Sequence, residues 1–135
     1  MAQAICLAKE LNDKHALAVA LWFAAFLGHC ERSLAEVEHL ASDLIELSTR
    51  QTFQFWLPLG EIFRAWAASA FGSSAEGLSW IQDGIRHYQA TGSKLGMPYF
   101  LALKAEALHL ASRTAEALEA VKEAEVLAER AEERW

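Results

Sequence analysis

The sequence predicts an all-α protein, a right-handed α-solenoid of helix-turn-helix repeats with a period of about 40–44 residues. Three observations predict it. The first is self-similarity at a constant offset. Adding 44 to Leu34, Val37, Ala41 and Leu44 gives Leu78, Ile81, Ile85 and Tyr88, and carries Trp22 onto Trp66 and Gly28 onto Gly72. Adding 40 carries Pro58 onto Pro98, Ala65 onto Ala105, Leu78 onto Leu118 and Ile81 onto Val121. The second is helical spacing inside each unit: Leu78, Ile81, Ile85 and Tyr88 fall at i, i+3, i+7 and i+10, one stripe down one helix. The third is the placement of the helix breakers. Only two prolines occur, the seven glycines fall largely between helical patterns, and no stretch alternates apolar with polar at period two.

The elements follow in order. A first helix over 2–11 ends at Asn12-Asp13 and is expected to be the last helix of a preceding repeat, so that residues 1–13 stand before the first full unit. Repeat one, 14–55, has helices over 15–27 and 33–48 with Gly28 to Glu31 as its turn. Repeat two, 56–97, has helices over 56–71 and 74–90, with Gly72-Ser73-Ser74 supplying a C-terminal glycine and a serine cap. Repeat three, 98–135, has helices over 98–111 and 114–132; Pro98 suits a first turn, as does Pro58, and Thr114 is placed to cap with Glu116 against the positive helix end. Small residues mark the close crossings: Ala65 against Gly77 and Gly84, and Ala105 against Ala117 and Ala124. Leu78, Ile81, Leu118 and Val121 are expected to be buried.

Composition bounds the rest. With 53% hydrophobic residues in a chain of 135, one core fits and two ordinary domains do not. Twelve basic against 18 acidic residues give a net charge of −6, which repels a phosphate backbone, and no basic stripe offsets it, so nucleic acid is excluded as a partner. The uncharged run from Ala16 to Cys30 is shorter than the roughly 20 residues a bilayer requires, so it reads as a buried helix. No membrane partner and no export signal are expected. Cys6 and Cys30 on separate helices predict reduced, partly buried thiols in a cytoplasmic protein.

A small residue in a first helix followed twelve and nineteen positions later by two more, as at Ala65, Gly77 and Gly84, resembles a tetratricopeptide repeat, lengthened from its usual 34 residues. Leu101 and Glu61 stand where that repeat has an aromatic residue. A second resemblance runs over essentially the whole chain. The stretch from Tyr88 to Ala107, containing Thr91-Gly92, Leu95-Gly96 and Pro98-Tyr99, then Ala115 to Leu118 and Glu133 to Trp135, is similar to the C-terminal helical region of large bacterial regulators. These join a class III adenylate or guanylate cyclase domain to a STAND-type ATPase and a tetratricopeptide-like array related to that of maltose-regulon activators. Lys104, where leucine is commoner, and Ser112-Arg113, in place of a glycine turn, depart from the pattern. The resemblance implies that the chain is a piece of such a regulator, without its cyclase or phosphate-binding motifs, and that Trp135 begins a further helix.

Signals of chemistry are weak. The histidines at 15, 29, 39, 87 and 109 and the two cysteines show no metal-ligand spacing, and no serine or cysteine sits in a nucleophile pattern, so no enzyme, metal or cofactor is expected. In a tetratricopeptide array the first helices line a groove. Counting from Lys14, Pro58 and Pro98 puts His15, Leu59 and Tyr99 at one groove position, Trp22, Trp66 and Glu106 at a second, and Ala25, Ser69 and His109 at a third. This set suits an amphipathic peptide or helix; the alternative is that both indoles pack as core. Trp80, off the buried stripe, and Trp135 are the candidate interface residues. Two functions follow: a scaffold that binds a protein, a peptide or other domains of its parent chain, with a homodimer through exposed solenoid ends; or a sensor of a small-molecule effector.

Overall fold

Left-handed backbone recurs every twenty residues along this chain. The computed structural model describes residues 2–133, with the side chains of residues 3–130. Within them Asn12, Arg32, Thr52 and Ser112 take φ of 53°, 61°, 59° and 61°, and Gly72 and Gly92 take 110° and 84°. At five of the six the next amide N–H returns to a carbonyl five residues back. These bonds, from Asp13 to Ala8, Ser33 to Gly28, Phe53 to Ser48, Ser73 to Ala68 and Arg113 to Leu108, are 2.9–3.1 Å long. Each is a Schellman closure, which satisfies the last orphan carbonyls of a helix and reverses the chain. At Gly92 a side chain does the work instead: the Thr91 hydroxyl donates to the Tyr88 carbonyl at 2.6 Å and accepts from the Ser93 N–H at 3.4 Å.

These turns divide the described residues into seven helices and no strand. They are α1 (Ala2–Glu10), α2 (Lys14–Cys30), α3 (Leu34–Gln51), α4 (Trp56–Ala70), α5 (Ser74–Ala90), α6 (Met97–Leu110) and α7 (Thr114–Glu133). Three-residue turns join α2 to α3, α4 to α5 and α6 to α7, and so make antiparallel pairs; longer links at 52–55 and 91–96 join one pair to the next. α2 touches α4 and α4 touches α6, whereas α3, α5 and α7 do not touch one another. The first helices therefore form a continuous inner layer. Among the described residues no helix is long and apolar enough to cross a membrane.

The core lies between the layers, around Leu21, Val37, Leu44, Phe63, Trp66, Ile81 and Phe100. Small residues set the α4–α5 crossing as their spacing predicts: a Cβ on Gly77 would lie 2.1 Å from Ser69 Oγ and 2.9 Å from the Ala65 carbonyl oxygen. Pro58 and Pro98 both fall in first turns, where no intrahelical N–H is lost.

Four expectations are corrected. The turn residues Arg32, Gly72 and Ser112 fix the period at 40 throughout, so the offset of 44 is a coincidence of apolar pattern, and Trp22 is equivalent to Ile62 rather than Trp66. Gly28 is not in a turn. α2 runs on to Cys30, and the missing side chain at 28 makes room for Val37, whose Cγ2 would stand 3.0 Å from an added Cβ. Thr114 is the first residue of α7, not its cap; Glu116 does fall in the first turn, and also pairs with the Arg113 guanidinium, which lowers the carboxyl pKa and raises that of the arginine. The side-chain cap that does form is Asp13, accepting the Ala16 N–H at 3.0 Å, while Ser73 holds the cap position of α5 without a side-chain bond. Finally, Leu78 and Ile81 are buried at 4% and 0%, but Leu118 and Val121 are exposed at 57% and 40%. α5 packs against both α4 and α6, whereas among the described residues α7 packs against α6 alone and reaches the core through Ala117, Ala120, Ala124 and Leu127.

Candidate functional site

The 40-residue register aligns Phe26 with Trp66 and Glu106, and His29 with Ser69 and His109. The backbones of α2 and α6 do not touch, yet their side chains meet over α4. The Tyr99 hydroxyl lies 2.6 Å from His29 Nδ1, and the other ring nitrogen, Nε2, stands 3.6 Å from Glu106 Oε2. Arg32, in the turn after α2, donates to Glu106 Oε1 and lies over the Trp66 ring at 5.8 Å from its centroid. Beneath this group His29 meets Trp66 edge-on at 4.5 Å, and Phe26 meets Tyr99 at 5.3 Å. The end of α2 and α6 are thus tied across α4 by a histidine, an arginine, a phenol and a carboxylate.

The electrostatics follow from this enclosure. Glu106 is lowered from 4.5 to about 2, first by His29, then by the Trp66 indole and Arg32, against the opposing effect of burial. His29 Nε2 and Trp66 Nε1 are buried with no partner inside hydrogen-bonding distance, so they act on the carboxylate as nearby N–H dipoles rather than full hydrogen bonds. Burial pushes Tyr99 well above the usual tyrosine value, with Cys30 and Glu106 adding to it and Arg32 opposing. A phenol made harder to ionise and a carboxylate made more acidic are each moved away from neutrality, where a proton shuttle is effective. The cluster joins the end of α2 to α6 across α4.

At the other end of the inner layer lies a pocket of about 450 Å³. Its walls come from Trp22 and Phe23 of α2, Phe55, Trp56 and Leu59 at the start of α4, Tyr88 at the end of α5, and the 93–96 link with Phe100.

The sequence-derived candidates fall as follows. Tyr99 and Glu106 come together as just described. Trp66 is only 1% exposed and Ser69 2%, so both pack as core; Ser69 Oγ lies under Gly77. Trp22 is half-buried at the apolar pocket, stacked on Phe26 at 5.8 Å. His15 is exposed and stacks on Phe53 at 4.5 Å, away from the others, and His109 is exposed and joins none of them. Trp80 is 40% exposed, with the Arg64 guanidinium over its ring at 5.7 Å. Trp135 lies outside the described residues. His29 and Arg32 escaped the sequence reading because a turn was placed at 28–31; the 40-residue step from His109 through Ser69 points to His29. Cys6 and Cys30 are free, and exposed rather than partly buried. Among the described residues no three His, Cys, Asp or Glu side chains converge as metal ligands.

Comparison of the chain with family models, with curated proteins and with solved structures finds no match.

Proposed function

We propose that this chain is a non-catalytic helical-repeat scaffold, a solenoid of lengthened tetratricopeptide-like pairs, that docks a helical partner end-on. The partner is another protein or a further part of its own parent chain. The observation that carries the proposal is the outer face of α7. Leu118 and Val121 stand 40 residues after Leu78 and Ile81, which are buried, and both are exposed. A face patterned like a covered one, and left uncovered, is built to receive a helix. The resemblance to cyclase–ATPase regulators supplies the output such docking would control: an attached nucleotide cyclase or ATPase domain in the cytoplasm of a bacterium.

The test is sedimentation equilibrium of the chain over a wide concentration range, beside Leu118→Asp/Val121→Asp. Reversible association of the parent, abolished in the variant at unchanged helical content, supports an end-on docking face; a closed two-fold dimer is the expected form. A strictly monomeric parent at every concentration would show the face to be self-sealing and remove the basis of the proposal.

A further inference from the structure

We propose that the helix received by the open face of α7 is α2 of a second copy, and that two copies close head to tail around a two-fold axis, each end of one covering the opposite end of the other. This rests on the end-on docking proposed above and names its partner.

The N-terminal end of the array is as open as the C-terminal one. Leu7 of α1 and Val19, Phe23 and Leu27 of α2 are 54%, 38%, 46% and 44% exposed. Forty residues on, their equivalents Leu47, Leu59, Phe63 and Ala67 are 2%, 3%, 0% and 0% exposed. Phe63 shows what covers such a position: its ring meets Trp22 and His29 of α2 at 6.1 and 6.4 Å, so this face of a first helix looks back onto the first helix before it. Among the described residues no first helix precedes α2. Val19, Phe23 and Leu27 fall at i, i+4 and i+8, a ridge of the kind that packs into the groove of another helix.

Charge then selects the occupant. α2 contains no acidic residue, and Lys14 and two histidines are its basic groups. Over residues 114–130, α7 has five glutamates against Lys122 and Arg130, and Glu125 stands one turn beyond Val121. Two α7 helices face to face would bring like charges together, and two α2 helices would leave both α7 faces open. Setting α7 on α2 covers both apolar faces and places an acidic helix on one that carries no anion. Register closes the pair. At steps of forty residues α1 and α7 hold the same outer position, so an in-line continuation of the array would lay the partner's α1 on α7 itself. A filament is thereby blocked, and the reciprocal two-fold contact is left.

The experiment is sedimentation equilibrium of the full chain, of Val19→Asp/Leu27→Asp, of Leu118→Asp/Val121→Asp and of an equimolar mixture of these two variants, with helical content checked by circular dichroism. Each variant alone should associate at least about tenfold more weakly than the parent. Their mixture should recover a one-to-one complex, because one keeps an intact α7 face and the other an intact α2 face. Leu7→Asp changes a side chain that lies mostly in water on α1, and should weaken association several-fold at unchanged helical content; it decides the matter if the α2 variant loses helix. Parental association of folded Val19→Asp/Leu27→Asp or of Leu7→Asp, or a mixture of folded variants that stays monomeric, would overturn α2 as the partner and leave docking at α7 standing. Parental association of Leu118→Asp/Val121→Asp, lost in the α2 variant, would overturn it in favour of α2 pairing with α2. A parent that never associates removes the docking reading, and this inference with it.

Discussion

Replacing Glu106 by glutamine should destabilise the fold at neutral pH and have almost no effect in strong acid. The carboxyl falls from 4.5 to about 2 on folding, which at 1.36 kcal/mol per pH unit corresponds to about 3 kcal/mol. Water screens part of this, because 29% of the Glu106 side chain and 62% of Arg32 remain exposed, so roughly 1–2 kcal/mol is the expected effect. The sign follows from the direction of the change. The folded state binds the proton less readily than the unfolded one, so the contribution is fully present above about pH 4.5 and fades as pH falls towards 2. Urea melts of the parent and Glu106→Gln at matched pH isolate it, since the other acidic groups titrate alike in both. The gap between the two should be about 1–2 kcal/mol at pH 7 and less than half of that at pH 3. A gap that does not change with pH, or one below about 0.5 kcal/mol at pH 7, would refute the view that His29, Trp66 and Arg32 stabilise this carboxylate.

Other perturbations separate packing from exposure. Leu78→Ala should cost about 2–5 kcal/mol in denaturant melts, whereas Leu118→Ala, at the equivalent position on the open face of α7, should cost less than about 1. Gly77→Ala should lower stability by at least about 1–3 kcal/mol in thermal melts, because its new methyl meets Ser69 N at 2.7 Å and Ala65 O at 2.9 Å, backbone atoms that cannot step aside. Gly84→Ala should cost clearly less, its nearest obstacle being the Cγ1 of Ile62 at 2.8 Å, part of a side chain that can rotate. Both thiols should react with a disulfide reagent in the folded protein, two equivalents at rates typical of exposed cysteines.

The helical class was legible because patterning and breakers agree: α5 runs over the residues its stripe and flanking glycine and serines indicate, and both prolines sit where a first turn tolerates them. The period was legible only in part. Gly72 and Gly92 announce left-handed turns, but Asn12, Arg32, Thr52 and Ser112 take the same conformation with side chains that carry little or no signal for it. Without those markers Gly28 looked like a stop, repeat one slipped by four residues, and Trp22 took the place belonging to Phe26. The same slip hid His29 and Arg32, which meet Tyr99 and Glu106 only after some 70 intervening residues have folded between them. The exposure of Leu118 could not be foreseen from spacing, since spacing identifies an apolar face and says nothing about what comes to cover it.

The even placing of the turns has a consequence for how this chain can change length. Because the left-handed residues fall at 12, 32, 52, 72, 92 and 112, removing or duplicating forty residues joins one left-handed turn residue to another and leaves the flanking helices close to their full number of turns. A deletion of three or four residues within a helix instead rotates everything downstream against the inner layer and turns apolar stripes toward water. The architecture therefore accepts gain or loss of whole helix pairs far more readily than small changes inside one, and related chains should differ in length by multiples of forty.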